Sequence, residues 1–140
     1  MRVRPLLFFT AFLGLGCGGP RVAPVSGVVT LDGKPLAHAS VSFQPISPAK
    51  GVNPGAGSQG ETDDNGAFTL RVVGEGRDGA YVGYHRVEIS KYTRDKADPA
   101  DDRGPAPRNL VPPEYNLKTT LTCEVAQGGN NQANFELKTR

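Results

Sequence analysis

Thr62-Asp63-Asp64-Asn65-Gly66-Ala67-Phe68-Thr69-Leu70-Arg71-Val72 is the stretch whose reading decides the fold. Asp63 to Gly66 are residues that tolerate positive φ and fold their side chains back onto the backbone, so they read as a turn. Directly after it, Phe68, Leu70 and Val72 alternate with Ala67, Thr69 and Arg71. A period of two with one apolar side is the pattern of a half-buried strand. Such a face needs other strands to pack against, and the sequence on both sides supplies them.

Upstream, Val25 to Leu31 is a strand closed by Asp32-Gly33, a two-residue hairpin signal. His38 to Phe43 follows, with Ala39, Val41 and Phe43 on one face and His38, Ser40 and Ser42 on the other. Pro45 to Gly60 is rich in Pro and Gly, has no hydrophobic period, and reads as a long mobile surface loop. A short strand, Gln59 to Thr62, leads into the turn. Downstream, Ala80 to Tyr92 reads as the longest strand, with Val87 and Ile89 facing inward beside Gly83 and His85. Thr119–Val125 and Ala133–Leu137 close the chain, joined across Gln127 to Asn131. About seven short strands, turn chemistry between them and no convincing helix argue for an all-β fold, a single antiparallel seven-stranded β-sandwich.

The N-terminus stands apart. Met1-Arg2-Val3-Arg4 is cationic, and Leu6 to Leu15 is apolar and ends at Gly14-Leu15-Gly16-Cys17. That run makes about 15 Å of helix, half of a bilayer core, which suits a signal peptide and not a spanning helix. With Gly16 before Cys17, the segment resembles a bacterial lipoprotein signal peptide. The resemblance implies cleavage after residue 16, lipidation of Cys17 and membrane attachment in the cell envelope, facing the periplasm or exterior. Gly14 stands where such signals usually carry Leu, and an ordinary secretory signal with an incidental Cys is the alternative. Residues 17–24 then form a tether and 25–138 the domain.

The chain has 140 residues with 16 Lys+Arg and 14 Asp+Glu. Loss of Arg2 and Arg4 with the signal brings the two signs level, so the mature chain carries no net charge and no electrostatic case for nucleic acid. With Cys17 acylated, Cys123 has no disulfide partner and reads as a buried, unreactive thiol on the face shared with Leu121 and Val125.

Val25-x-Gly27-x-Val29-x-x-Asp32-Gly33-x-Pro35-Leu36, Ala39-x-Val41-x-Phe43 and Thr62-Asp63-x-x-Gly66-x-Phe68 together resemble a carboxypeptidase regulatory-like domain. Gly83-Tyr84-His85-Arg86-Val87-Glu88-Ile89 and Leu110-Val111-Pro112-x-x-Tyr115 fit the same pattern. The resemblance, over about residues 22–138, implies a transthyretin-like, Ig-like sandwich of the kind found in small bacterial lipoproteins. It implies an extracytoplasmic scaffold or interaction module and carries no catalytic residues across.

Few residues suggest chemistry. His85-Arg86-Val87-Glu88 spells His-x-x-Glu, but i and i+3 on a strand point to opposite faces and cannot share one zinc. Glu61, Asp63, Asn65 and Gly66 have the spacing of a calcium loop, yet its twelfth place is Val72 where a bidentate Glu is required. Asp63, Asn65 and Gly66 are therefore assigned to a structural turn, with no metal, no cofactor and no enzymatic activity expected. Tyr92 to Asn116 is a second irregular stretch, with five prolines. Tyr92, Asn109 and Tyr115 in it are candidate contacts for a partner, either an envelope protein or a glycan. The alternative is that the tyrosines pin the loop ends to the sandwich. The function expected is a lipid-anchored, non-catalytic structural or protein-interaction module, with a binding protein for a carbohydrate or peptide as the second reading.

Overall fold

The computed structural model describes residues 20–93 and 106–140, so Cys17 and the signal segment lie outside the described residues. In chain order the strands are β1 (Val22–Ala23), β2 (Val25–Leu31), β3 (Lys34–Pro35), β4 (Ser40–Pro45) and β5 (Ser58–Glu61). They continue with β6 (Ala67–Thr69), β7 (Arg71–Val72), β8 (Ala80–Tyr81), β9 (Gly83–Ser90) and β10 (Tyr92–Thr93). The last four are β11 (Arg108–Asn109), β12 (Thr122–Val125), β13 (Asn131–Gln132) and β14 (Phe135–Leu137). Pro113–Tyr115 forms one turn of 3₁₀ helix. The fold is all-β and sandwich-like.

One sheet has the order β12-β9-β4-β5-β7 and is antiparallel throughout. The other is gathered around β2, which pairs antiparallel with β3 and β6. Its pairings with β13 and β14 are parallel, which corrects the expectation of a purely antiparallel sandwich. The reason is the connection. Gln127 to Asn131 does not close a hairpin, because β12 belongs to the first sheet and β13 to the second. A chain that changes sheets can enter alongside β2 in the same direction, as a tight hairpin cannot.

The stretch from Thr62 to Val72 makes a similar crossing. The strand expected over Phe68–Val72 divides at Leu70: β6 pairs with β2 and β7 pairs with β5, so each lies in a different sheet. Leu70 sits at the crossing, 1% exposed, with its N–H donating to the Val25 carbonyl (3.1 Å). Asp63 builds the corner, its Oδ1 accepting from the N–H groups of Asn65 and Ala67 at 2.8 and 2.9 Å. Gly66 has φ +75° and passes so close to β2 that an added Cβ would fall 2.4 Å from the Val29 oxygen.

The apolar faces meet between the sheets. Val41, Phe43, Val87 and Ile89 come from one side, and Val25, Val29, Phe68 and Leu137 from the other, all buried. Each such side chain contributes on the order of 2 kcal/mol by leaving water. Gly27 lets the strands beside β2 close up within their sheet, since a Cβ there would overlap the Ala133 carbonyl and touch Phe68.

Several boundaries shift from the sequence reading for local reasons. The folded chain reaches back into the expected tether: β1 pairs with β8 and Ala23 is buried. His38 is not in a strand but in a turn with φ +53°, so the second long strand starts at Ser40. The long strand expected over Ala80–Tyr92 breaks at Val82, next to Gly83 with φ +134°. Thr119 uses its hydroxyl to bond the Val87 carbonyl (2.8 Å), and regular pairing begins only at Thr122.

Candidate functional site

The structure keeps the two histidines apart, at opposite ends of β4. His85 points inward from β9, fully buried, with Nε2 2.6 Å from the Tyr81 carbonyl and its ring 5.6 Å from that of Phe43. A carbonyl only accepts, so Nε2 carries the proton and Nδ1 is left without a partner among the described residues. Burial pushes the His85 pKa below its ordinary value, against a smaller upward pull from the Tyr81 carbonyl. Glu88 faces the other side of the same strand, where its carboxylate accepts from Arg86 (2.7 Å). The strand geometry thus keeps the two ends of the His-x-x-Glu pair apart.

His38 lies at the opposite end of β4, exposed, with Nδ1 3.4 Å from Glu61 and Nε2 3.1 Å from Asp64. The Asp63–Gly66 corner is close by, and its Asp63 carboxylate is already committed to backbone N–H groups. Cys123 on β12 pairs across to His85 in register and is half-buried, with its thiol pushed up by burial and then by the Glu124 charge. A thiol held protonated in this way is a poor nucleophile.

The three contact candidates separate as well. Tyr92 pairs with Asn109 at the stem of the second irregular stretch, and its ring is 62% exposed. Asn109 turns its Oδ1 back to accept from Lys91 and Val111 N–H (3.0 and 3.1 Å). Tyr115 packs on the core, and its hydroxyl accepts from the Lys138 N–H (3.2 Å). Val111 is buried, and the buried Asn116 amide donates to the carbonyls of Ile89, Val111 and Pro112. The segment from Asn109 to Asn116 is therefore part of the packed domain, and only Tyr92 of the three presents an open aromatic surface. Residues 94–105 lie outside the described residues.

A site that the sequence reading passed over is an apolar groove of about 560 Å³. It forms where β4 runs out. Pro45 has no N–H to extend the ladder, and Ile46 continues with one bond, its N–H donating to the Tyr84 carbonyl (2.8 Å). The following loop then folds on itself. The Ser47 hydroxyl lies 2.6 Å from the Ala49 carbonyl and 2.7 Å from that of Val52, and Asn53 Oδ1 accepts from Gly55 N–H (3.0 Å). Gly55, with φ +96°, lies directly on the Tyr81 ring, where any Cβ would overlap the aromatic carbons. Tyr81 is in turn held by its hydroxyl, which donates to Glu75 and accepts from Arg77 (2.7 Å each). That hydrogen bond to Glu75 raises the Tyr81 pKa and lowers that of Glu75, and the same bonds hold the ring beneath Gly55. The loop expected to be free is tied to the sandwich at several points.

Ile46, Val52, Val82 and Tyr84 form the rim of this groove and are 36% to 59% exposed. These four are half of the large apolar side chains that lie exposed among the described residues. Pro20 closes one side, at the first described residue, and His85 lies beneath. None of the lining residues is charged. The signal in sequence was faint: Pro45-Ile46-Ser47-Pro48 and Val52-Asn53-Pro54 read as loop, and nothing in them announces that Val82 and Tyr84 will join them.

A scan against protein-family models, a search of curated proteins and a search of solved structures gave no match to this chain.

Proposed function

We propose that the protein is a non-catalytic, lipid-anchored module of the cell envelope that works by contact at the membrane surface. It is read as a small lipoprotein with a carboxypeptidase regulatory-like, transthyretin-like domain of seven principal strands. The observation that carries the reading is the apolar groove at the end of the domain where Pro20 leads back to Cys17, three residues earlier. The polar candidates support a binding role over a chemical one. The two histidines lie at opposite ends of β4, one bonded to a carbonyl in the core and one on the surface between two carboxylates. Cys123 stands opposite His85, but the His85 Nε2 is spent on the Tyr81 carbonyl and burial holds the thiol protonated, which disfavours a base–nucleophile pair there.

The groove volume also falls in the range of small-molecule sites, which favours the second reading of a binding protein. Its lining disfavours a carbohydrate, because Ser47 and Asn53 spend hydrogen bonds on their own loop. An apolar peptide segment suits it better.

The anchor is tested by cell fractionation of the wild type and Cys17→Ser. The wild type is expected with membranes and the variant unprocessed or released in soluble form, since stable attachment needs more than one acyl chain. Identical processing and fractionation of the two proteins would refute the reading.

A further inference from the structure

On the anchor reading, the geometry points to the groove as a membrane-docking face, whose occupant is the headgroup–acyl boundary of the anionic bilayer holding Cys17. Three independent observations carry this. The first is reach. From Pro20 on the groove wall, three residues back to Cys17 span at most about 11 Å, so a lipid on that cysteine keeps the groove against the bilayer surface. The second is chemistry. Ile46, Val52 and Val82 offer uncharged apolar surface, and Tyr84 at 59% exposure is an aromatic of the type that settles at membrane interfaces.

The third is charge. Of the segments that build the groove, residues 20–24, 44–57 and 80–85 contain Arg21 and Lys50 and no Asp or Glu, while β12, which supplies Thr122, sets one acidic residue, Glu124, opposite Tyr84. Both cations are exposed, and neither forms an ion pair among the described residues. At the other end of β4, about 17 Å away along the strand, Glu61, Asp63 and Asp64 cluster around His38. With these two cations against Glu124 at the apolar rim and three acidic residues at the opposite end, the charge balance favours one orientation on an anionic surface. In that orientation the Tyr92 stem, which follows the far end of β9, points away from the membrane.

The test uses full-length lipidated protein, in a Cys123→Ala background, carrying an environment-sensitive fluorophore on Ile46→Cys, or on Asp64→Cys as the distant control. Each is reconstituted into phosphatidylglycerol/phosphatidylethanolamine vesicles containing shallow doxyl-labelled lipid. The expected result is a blue shift and strong doxyl quenching at position 46 and neither at position 64. Val52→Cys, with the thermal melt of each labelled protein, guards against a variant that fails to fold. Arg21→Gln with Lys50→Gln is expected to weaken quenching on these vesicles and not on zwitterionic ones. Co-flotation with vesicles but equal, water-like signals at 46, 52 and 64 would overturn docking and leave the anchor standing. A blue shift at 46 and 52 without doxyl quenching would also overturn it, because something other than the bilayer would then fill the groove. Unmodified Cys17 and no co-flotation would overturn the anchor reading, and docking with it.

Discussion

Gly66→Ala should cost far more than its place in an exposed turn suggests. Two effects add. At φ +75° any L side chain pays for the left-handed conformation, about 1–2 kcal/mol. The new Cβ would also sit 2.4 Å from the Val29 oxygen, which accepts from Leu36 N–H at 2.9 Å, while Val29 N–H donates to Gly66 itself at 2.8 Å. Relieving the overlap means stretching those bonds, each worth about 1 kcal/mol, so the total is about 2–4 kcal/mol. Gly33 isolates the first effect, since its φ is +79° but nothing lies within 4 Å of its would-be Cβ. Gly33→Ala should therefore cost only the conformational part. Asn tolerates the left-handed region, so Gly33→Asn should be within about 0.5 kcal/mol of wild type. Gly66→Asn should still lose on the order of 1–2 kcal/mol from the overlap. The assay is urea unfolding, read as the midpoint at unchanged slope. Equal losses for Gly66→Ala and Gly33→Ala, or a neutral Gly66→Asn, would refute the claim that close approach to β2 makes this glycine necessary.

Three further outcomes follow from particular contacts. The Thr62 hydroxyl donates to the Leu36 carbonyl (2.5 Å) and accepts from Ala39 N–H (2.8 Å), both buried. Thr62→Val keeps the shape and strands those groups, so a loss of about 1–3 kcal/mol is expected in the same unfolding assay. Burial holds His85 below its ordinary value of 6.5, so under that pH the unfolded chain binds a proton that the native state resists. Stability should thus fall as pH drops from 6.5 towards the depressed native value, and this part of the slope should vanish in His85→Gln, as followed by melting between pH 5 and 8. Replacing residues 92–116 with a Gly/Ser connector removes buried Val111 and Asn116, and should lower the melting temperature markedly. An unchanged melt would show that this segment is not part of the packed domain.

Period-two alternation and turn residues made the all-β class, the Asp32-Gly33 hairpin and the inward face of β9 legible in sequence. The turn preference is local, since Asp32 and Gly33, with φ of 51° and 79°, are residue types that tolerate the left-handed region, although Asp32 is also bonded to Leu137 and Thr139. Alternation also put His85 inside and Glu88 outside before any contact was known. What alternation does not encode is which sheet a strand joins. Phe68 and Val72 lie on one sequence face, yet β6 joins β2 and β7 joins β5, because the chain bends at Leu70 where its N–H meets the Val25 carbonyl. The parallel entry of β14 beside β2 is likewise a matter of long-range pairing, between residues 29–31 and 135–137. The groove was least legible of all. Its rim brings together residues 46, 52, 82 and 84, with Pro20 closing one side, and only the packing of the Gly55 turn onto Tyr81 sets them around one space. Sequence determined the strands and their faces through local sterics and burial, while tertiary contacts alone decided which apolar side chains remained uncovered at the end that leads to Cys17.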